Sequence, residues 1–266
     1  MPPRRRAAPS GASAISLSEV DGVRYLHFGT EWIQGAMRVS RPFELVLDYT
    51  REMMVWLLFV EPARAGFHIG QLGLGAAALT KFCLAHFAPA RVTAIDLDPA
   101  VIRCAHDHFG LVDSDPRLTL VAADAGAFVA GCGPTFDVLQ VDLYDAKARG
   151  PVHGSADFYR ACRGALRTGG LTVVNLFGAR ARLRENIAAL RRAFDGRVLV
   201  LPETDTGNRV ALGFTGPEVA VSAAALHGRV TDLEGRCGLR GRRWISGLRR
   251  AVDEAGLEVV GRELRI

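Results

Sequence analysis

Between residues 67 and 214 short apolar runs alternate with amphipathic stretches, and this alternation limits the fold more than anything else in the chain. The runs at 67–72, 91–95, 118–122, 136–141 and 171–176 have the length of buried strands. The stretches at 76–87, 99–109, 125–130, 155–166 and 180–194 have helical spacing, and Pro99 suits a first helical turn. Runs at 198–201 and 209–214 close the series as strands. Strands alternating with helices predict an α/β protein, a doubly wound parallel sheet with helices on both faces. In such sheets ligands bind beyond the carboxyl ends of the strands, at the point where strand order reverses. Residues that carry chemistry are therefore expected at the strand ends.

The flanks read differently. Residues 15–50 carry short runs such as Val23-Arg24-Tyr25-Leu26-His27-Phe28, punctuated by Gly22, Gly29, Gly35 and Pro42, and predict a small β region. Over 44–60, Leu47, Thr50, Met54, Leu57 and Leu58 recur at helical intervals, and the apolar run 53–60 reads as a buried helix. Residues 1–14 read as a disordered tail. The last fifty residues have too little periodicity to assign.

Composition excludes several classes. The net charge of +5 in 266 residues is concentrated in Arg4, Arg5 and Arg6 and in 229–250, where seven Arg face Asp232 and Glu234. A nucleic-acid partner is therefore not expected, although Trp244 among arginines leaves that reading open. Cys83, Cys104, Cys132, Cys162 and Cys237 include no pair close enough for a CxxC motif and read as reduced thiols in the cytoplasm. No apolar run approaches the roughly 20 residues of a membrane span, and no secretory signal is expected. The histidines are scattered; His106 and His108, two apart, do not share a helix face, so no metal site is expected.

Four strand ends carry candidate functional residues. After the first comes Gly70-Gln71-Leu72-Gly73-Leu74-Gly75-Ala76, where Gly73 and Gly75 would let backbone approach a ligand. Asp96 ends the second strand, 23 positions after Gly73, and suits two ribose hydroxyls; Asp98 suits the cap of the following helix. Asp124 follows the third strand, either accepting from an adenine amine or capping the helix after it. The fourth ends in Val141-Asp142-Leu143-Tyr144-Asp145. There one carboxylate could take a proton from an amine while the other holds an ammonium, with Tyr144 packed on the alkyl stem. Ala76 and Ala78 break the full GxGxxG spacing of dinucleotide oxidoreductases.

The first three strand ends together resemble the class I S-adenosylmethionine-dependent, methyltransferase-like (Rossmann-like) fold. The order Asp96-Leu97-Asp98-Pro99, Asp124-Ala125, Asp142-Leu143-Tyr144-Asp145, Phe158-Tyr159-Arg160 and Gly169-Gly170, with Tyr49-Thr50-Arg51-Glu52-Met53-Met54 before it, resembles spermidine synthase and the polyamine aminopropyltransferases, in particular their bacterial spermidine-synthase-like branch. The resemblance implies transfer of an aminopropyl group from decarboxylated S-adenosylmethionine to an amine such as putrescine. It implies Asp142 as the base, with Tyr144 and Asp145 beside it, and Glu52, Tyr144 and Asp145 as acceptor contacts. Gly73, Gly75, Asp96, Leu97, Asp124, Ala125 and Gln34 would hold the sulfonium co-substrate, and the protein would pair into a homodimer through its N-terminal strands. The domains would be a tail at 1–14, a β region at 15–50, a nucleoside-binding catalytic domain at 51–216 and an extension at 217–266. Two departures stand beside this. Residues 70–80 contain no acid where the family carries one for the aminopropyl amine, and the DSSDP-like motif has become Asp142-Leu143-Tyr144-Asp145-Ala146. They keep two alternatives open: a methyltransferase using intact S-adenosylmethionine, and a non-catalytic nucleoside-binding protein.

Overall fold

Three strands, β1 (Ile15–Val20), β2 (Val23–Phe28) and β3 (Ile33–Arg38), form an antiparallel sheet in that order. Asp21 and Gly22 turn β1 into β2 with positive φ at both positions, the geometry that Asp-Gly favours in tight hairpins. The computed structural model describes residues 15–144, 153–255, 259–260 and 263–266. The expected tail and Asp145 lie outside the described residues.

The helix expected over 44–60 is instead two short pieces, α1 (Asp48–Glu52) and a 3-10 turn (Val55–Leu58). All four residues of the 3-10 turn are buried, so this stretch has no solvent face that would favour the α-helical period.

From β4 (His68–Leu72) the expected alternation holds: α2 (Ala78–His86), β5 (Arg91–Asp96), α3 (Pro99–Phe109), β6 (Leu118–Ala122), α4 (Ala125–Ala130), β7 (Phe136–Val141), α5 (Ala156–Gly164), β8 (Leu166–Leu176), α6 (Arg180–Ala193), β9 (Val198–Val200) and β10 (Arg209–Phe214). The seven strands lie in the order β6-β5-β4-β7-β8-β10-β9. Strands β4 to β8 run parallel, while β10 is antiparallel to both β8 and β9. The sheet is therefore mostly rather than wholly parallel. A strand buried on both faces reads as an apolar run in either direction, so its sense was not visible in the pattern. The strand order reverses between β4 and β7, which places a crevice at their carboxyl ends.

Side-chain caps fix the helix starts beside that crevice. Asp98 accepts from the Ala100 amide at 2.8 Å, Asp124 from Ala127 at 2.8 Å and Ser155 from Phe158 at 3.1 Å. One core lies between the sheet and α4, α5 and α6. A second, larger core contains Trp56 stacked on Phe67, with Leu226, Val230, Trp244 and Leu248 from the C-terminal segment, and two smaller clusters lie around Phe109 and Leu111. That segment, unassigned from periodicity, forms β11 (Ala220–Ser222), α7 (Ala223–Cys237), α8 (Arg242–Ala255), β12 (Val259–Val260) and β13 (Glu263–Arg265). Trp244 is 2% exposed, so its ring is a core element with no face to offer a nucleic acid. Arg197 ties the chain end down by donating to the carbonyls of Pro217 and Ile266 at 2.7 and 3.0 Å.

Candidate active site

A cavity of about 460 Å³ opens at the carboxyl ends of β4, β5, β7 and β8 and is bordered by residues 31–36 of the N-terminal sheet. Its wall begins at the glycine turn after β4. Gly73 has φ +92°, and a Cβ there would strike the carbonyl oxygen of Asp142. The strand tips approach this closely because the Gly73 amide donates to Ile95 O and the Asp142 amide to Leu72 O, both at 2.8 Å. A Cβ on Gly35 would fall 2.6 Å from Ala76 Cβ, so glycine also lets β3 lie against the start of α2. That contact brings Gln34 into the lining. Ala77 holds a left-handed conformation, φ +54°, at the entry to α2. Strained backbone of this kind clusters at ligand sites.

Asp96 clasps the turn. One oxygen accepts from the Leu74 amide and the other from the Asp98 amide, each at 3.0 Å. Burial pushes its pKa up and these amides pull it back. Lone pairs remain for hydroxyl donors in the cavity. Leu97, 70% exposed, projects an apolar side chain at the cavity edge. Asp124 caps α4 and also meets His153 Nε2 at 3.2 Å. The Ala127 amide, with His153 adding to it, holds this carboxyl below the ordinary carboxylate range. Capping and cavity lining thus coexist at Asp124, as they do across the Asp96–Asp98 pair.

Asp142 sits at the tip of β7. One carboxylate oxygen accepts from Asn175 Nδ2 at 2.9 Å, and the Tyr49 hydroxyl donates to the same carboxylate. Burial pushes the Asp142 pKa up, and these two donors oppose the shift by stabilising the anion. Tyr144 lines the cavity with its hydroxyl committed to the Asn175 carbonyl at 2.8 Å. A carboxylate so placed can accept a proton from a substrate amine, while its neighbours keep its orientation.

The cavity brings together Gly73, Gly75, Asp96, Leu97, Asp124, Ala125, Asp142, Tyr144 and Gln34. Glu52 is not among the lining residues. It is 8% exposed and pairs with Arg243 Nε at 3.0 Å. On α1, Tyr49 and Thr50 face the cavity, and the helical turn carries Glu52 round towards α8. Sequence reading missed Tyr49, Asn175, Asn208, His153 and the edge-on pair Trp32–Phe177, whose centroids are 6.0 Å apart. The one available signal was Asn175, a polar residue inside an apolar strand. Among the described residues no group of three His, Cys, Asp or Glu could hold a metal, and no helix is long and apolar enough to cross a membrane.

A mostly parallel sheet with carboxylates at successive strand tips around one cavity has the Rossmann-like, class I methyltransferase-like architecture. Residues 75–178 match the spermine/spermidine synthase domain. The polyamine aminopropyltransferase of Neisseria meningitidis serogroup A is 32% identical over 253 residues, covering 95% of each chain. The chain therefore belongs to the spermidine synthase family of polyamine aminopropyltransferases. The crystal structure of a probable spermidine synthase from Corynebacterium glutamicum superposes with a TM-score of 0.70 at 19% identity, over 93% of this chain and 95% of that one. Human methyltransferase-like protein 13, solved with SAH, superposes with a TM-score of 0.62 at 22% identity, over 73% of this chain and 93% of that one. Both structural likenesses concern the fold.

Proposed function

We propose that this protein transfers the aminopropyl group of decarboxylated S-adenosylmethionine to an amine acceptor such as putrescine. The observation that carries the reading is the half-buried Asp142 carboxylate, held by Asn175 and the Tyr49 hydroxyl in the same cavity as Asp96 and Asp124. In this reading Asp96 accepts from the ribose hydroxyls, Asp124 and Ala125 meet the adenine, and Gly73, Gly75, Leu97 and Gln34 complete the nucleoside seat. Tyr144 packs on the acceptor's alkyl stem, and Asp145 binds its far ammonium. An alkyl ammonium has a pKa of about 10, like lysine, and cannot attack carbon until it loses a proton. Asp142 takes that proton. The amine lone pair then forms the N–C bond to the aminopropyl carbon beside sulfur, the C–S bond breaks, and its electron pair leaves with methylthioadenosine. Alignment within the cavity and deprotonation supply the rate.

The reading includes a cytoplasmic setting, in which the five free thiols stay reduced. It also includes a homodimer that covers exposed apolar side chains of the N-terminal sheet such as Leu17 and Val20.

A second reading, methyl transfer from intact S-adenosylmethionine, is favoured by one observation: the turn from Gly70 to Thr80 presents no carboxylate to the cavity. Incubation with each sulfonium donor and a panel of diamines separates the two. Methylthioadenosine among the products supports aminopropyl transfer; S-adenosylhomocysteine supports methyl transfer.

A further inference from the structure

Asn175 Nδ2 faces Asp142 while its Oδ1 accepts from Asn208 Nδ2 at 3.0 Å. Asn208 Oδ1 in turn accepts from the Thr206 hydroxyl at 3.0 Å, and Thr206 Oγ lies 3.1 Å from Thr204 Oγ. Thr204 Oγ accepts from the backbone amide of Asn208 at 3.1 Å. The sense of the series is set from its Asp142 end, because each amide there has one donor side and one acceptor side and the Thr204–Thr206 pair can run either way by itself. A backbone N–H can only donate, and an ionised carboxylate can only accept. With Asp142 ionised and every bond made, the protons order from that end: Asn175 NH₂ to Asp142, Asn208 NH₂ to Asn175 Oδ1, Thr206 to Asn208 Oδ1, and Thr204 to Thr206, while Thr204 also accepts from the Asn208 amide.

We propose that Asn208 is a positioning residue for Asp142: its side-chain NH₂ fixes the Asn175 amide so that a donor, and never the carbonyl, faces the Asp142 carboxylate. The inference deepens the aminopropyl-transfer reading and rests on it for its catalytic meaning.

The anchor is local. Thr204 N donates to Asn208 O at 2.7 Å and Gly207 N to Thr204 O at 2.9 Å, closing a tight loop between β9 and β10. Gly207 supplies the positive φ, +86°, that such a loop needs. Asn175 and Asn208 are 2% and 8% exposed, so water competes little with the bond between them, whereas the Thr204–Thr206 bond at the far end is exposed. An Asn amide has nearly the same shape with its oxygen and nitrogen exchanged. Without Asn208, the Asn175 oxygen loses the donor that holds it away from Asp142, and its carbonyl can turn towards the carboxyl group when Asp142 is protonated. A carbonyl there repels the anion and accepts from the protonated acid, so Asp142 would hold its proton to higher pH. The titratable groups facing Asp142 among the described residues are Tyr49 from α1 and Tyr144 after β7. The series itself is uncharged, so any effect travels through hydrogen-bond direction.

The test uses two uncharged substitutions in the full chain, Asn208→Leu and Thr206→Val. Carbon-13 carboxyl NMR, with the Asp142 resonance identified by its loss in Asp142→Asn, gives the Asp142 titration without turnover. The pH dependence of kcat with putrescine gives it with turnover. In Asn208→Leu both titrations should move to higher pH by about one unit, a tenfold loss of kcat on the acid limb that recovers as pH rises. Thr206→Val should move them the same way by less, with KM for the nucleoside donor unchanged. An unmoved titration in Thr206→Val, or in a folded Asn208→Leu whose kcat falls equally at every pH, overturns the proposal. If Asn208→Leu does not fold, Thr206→Val decides alone. If the NMR titration moves but no aminopropyl transfer occurs with any donor, the positioning stands and the functional reading fails.

Discussion

Gly73 and the carbonyl of Asp142 occupy adjoining space so tightly that residue 73 has no room for a side chain. The glycine turn after β4 and the proposed base at the tip of β7 are thus one construction. Gly73→Ala would meet backbone oxygen and would also force alanine into φ +92°. We expect it to cost about 2–4 kcal/mol of stability and to weaken binding of the sulfonium nucleoside. Urea denaturation and calorimetry with methylthioadenosine check the two effects together.

Asp96 and Asp124 should separate in calorimetry. Asp96→Ala removes the acceptor for both the Leu74 and Asp98 amides as well as the proposed ribose contact. Nucleoside affinity should fall about 10- to 100-fold, the loss of one or two charge-assisted hydrogen bonds. Asp124→Ala removes the α4 cap, which costs about 1 kcal/mol of stability. Its effect on nucleoside affinity should be smaller, because the carboxylate already serves Ala127 and His153. Unchanged affinity in Asp96→Ala would remove the ribose role.

Glu52 should behave as a structural residue. It pairs with Arg243 of α8 and stands outside the cavity lining. Glu52→Ala leaves one partner of a half-buried pair unmatched and should cost about 1–3 kcal/mol, with the acceptor KM near wild type. A raised acceptor KM at unchanged stability would return Glu52 to the substrate.

What the sequence disclosed, and what it did not, follows from how far each signal reaches. Asp96, Asp98, Asp124 and Asp142 stand at breaks in local periodicity, where a strand ends and a turn begins, and such breaks are visible in a few neighbouring residues. Asn175 meets Asp142 from β8, and Asn208, just before β10, meets Asn175. Their contacts depend on strand order and on an antiparallel neighbour that apolar runs do not reveal. Tyr49 and Glu52 lie three residues apart on one short helix, yet one reaches Asp142 and the other α8. Resemblance singled out Glu52; only the helix phase and the position of α8 separate the two. The C-terminal helices were hidden because α7 and α8 bury residues against a surface formed elsewhere in the chain.

His68 predicts an acid-sensitive fold. Burial, with Arg91 and Arg167 nearby, lowers its pKa to about 4, while its Nε2 bonds Thr93 Oγ at 2.8 Å. In the unfolded chain histidine titrates near 6.5, so between those values the unfolded state binds the extra proton. The contribution of His68 is complete above pH 6.5 and is lost as pH falls towards 4. Urea midpoints for wild type and His68→Asn should converge as pH is lowered through that window. A constant difference would show that His68 titrates normally in the fold.

The most direct measurement of the central claim compares wild type with Asp142→Asn, each supplied with decarboxylated S-adenosylmethionine and putrescine. The account predicts methylthioadenosine and an aminopropylated amine from wild type. Asp142→Asn should turn over about 10²- to 10⁴-fold more slowly while binding methylthioadenosine nearly as well. Wild-type rates in Asp142→Asn, or S-adenosylhomocysteine formed from intact S-adenosylmethionine as the only product nucleoside, would contradict it.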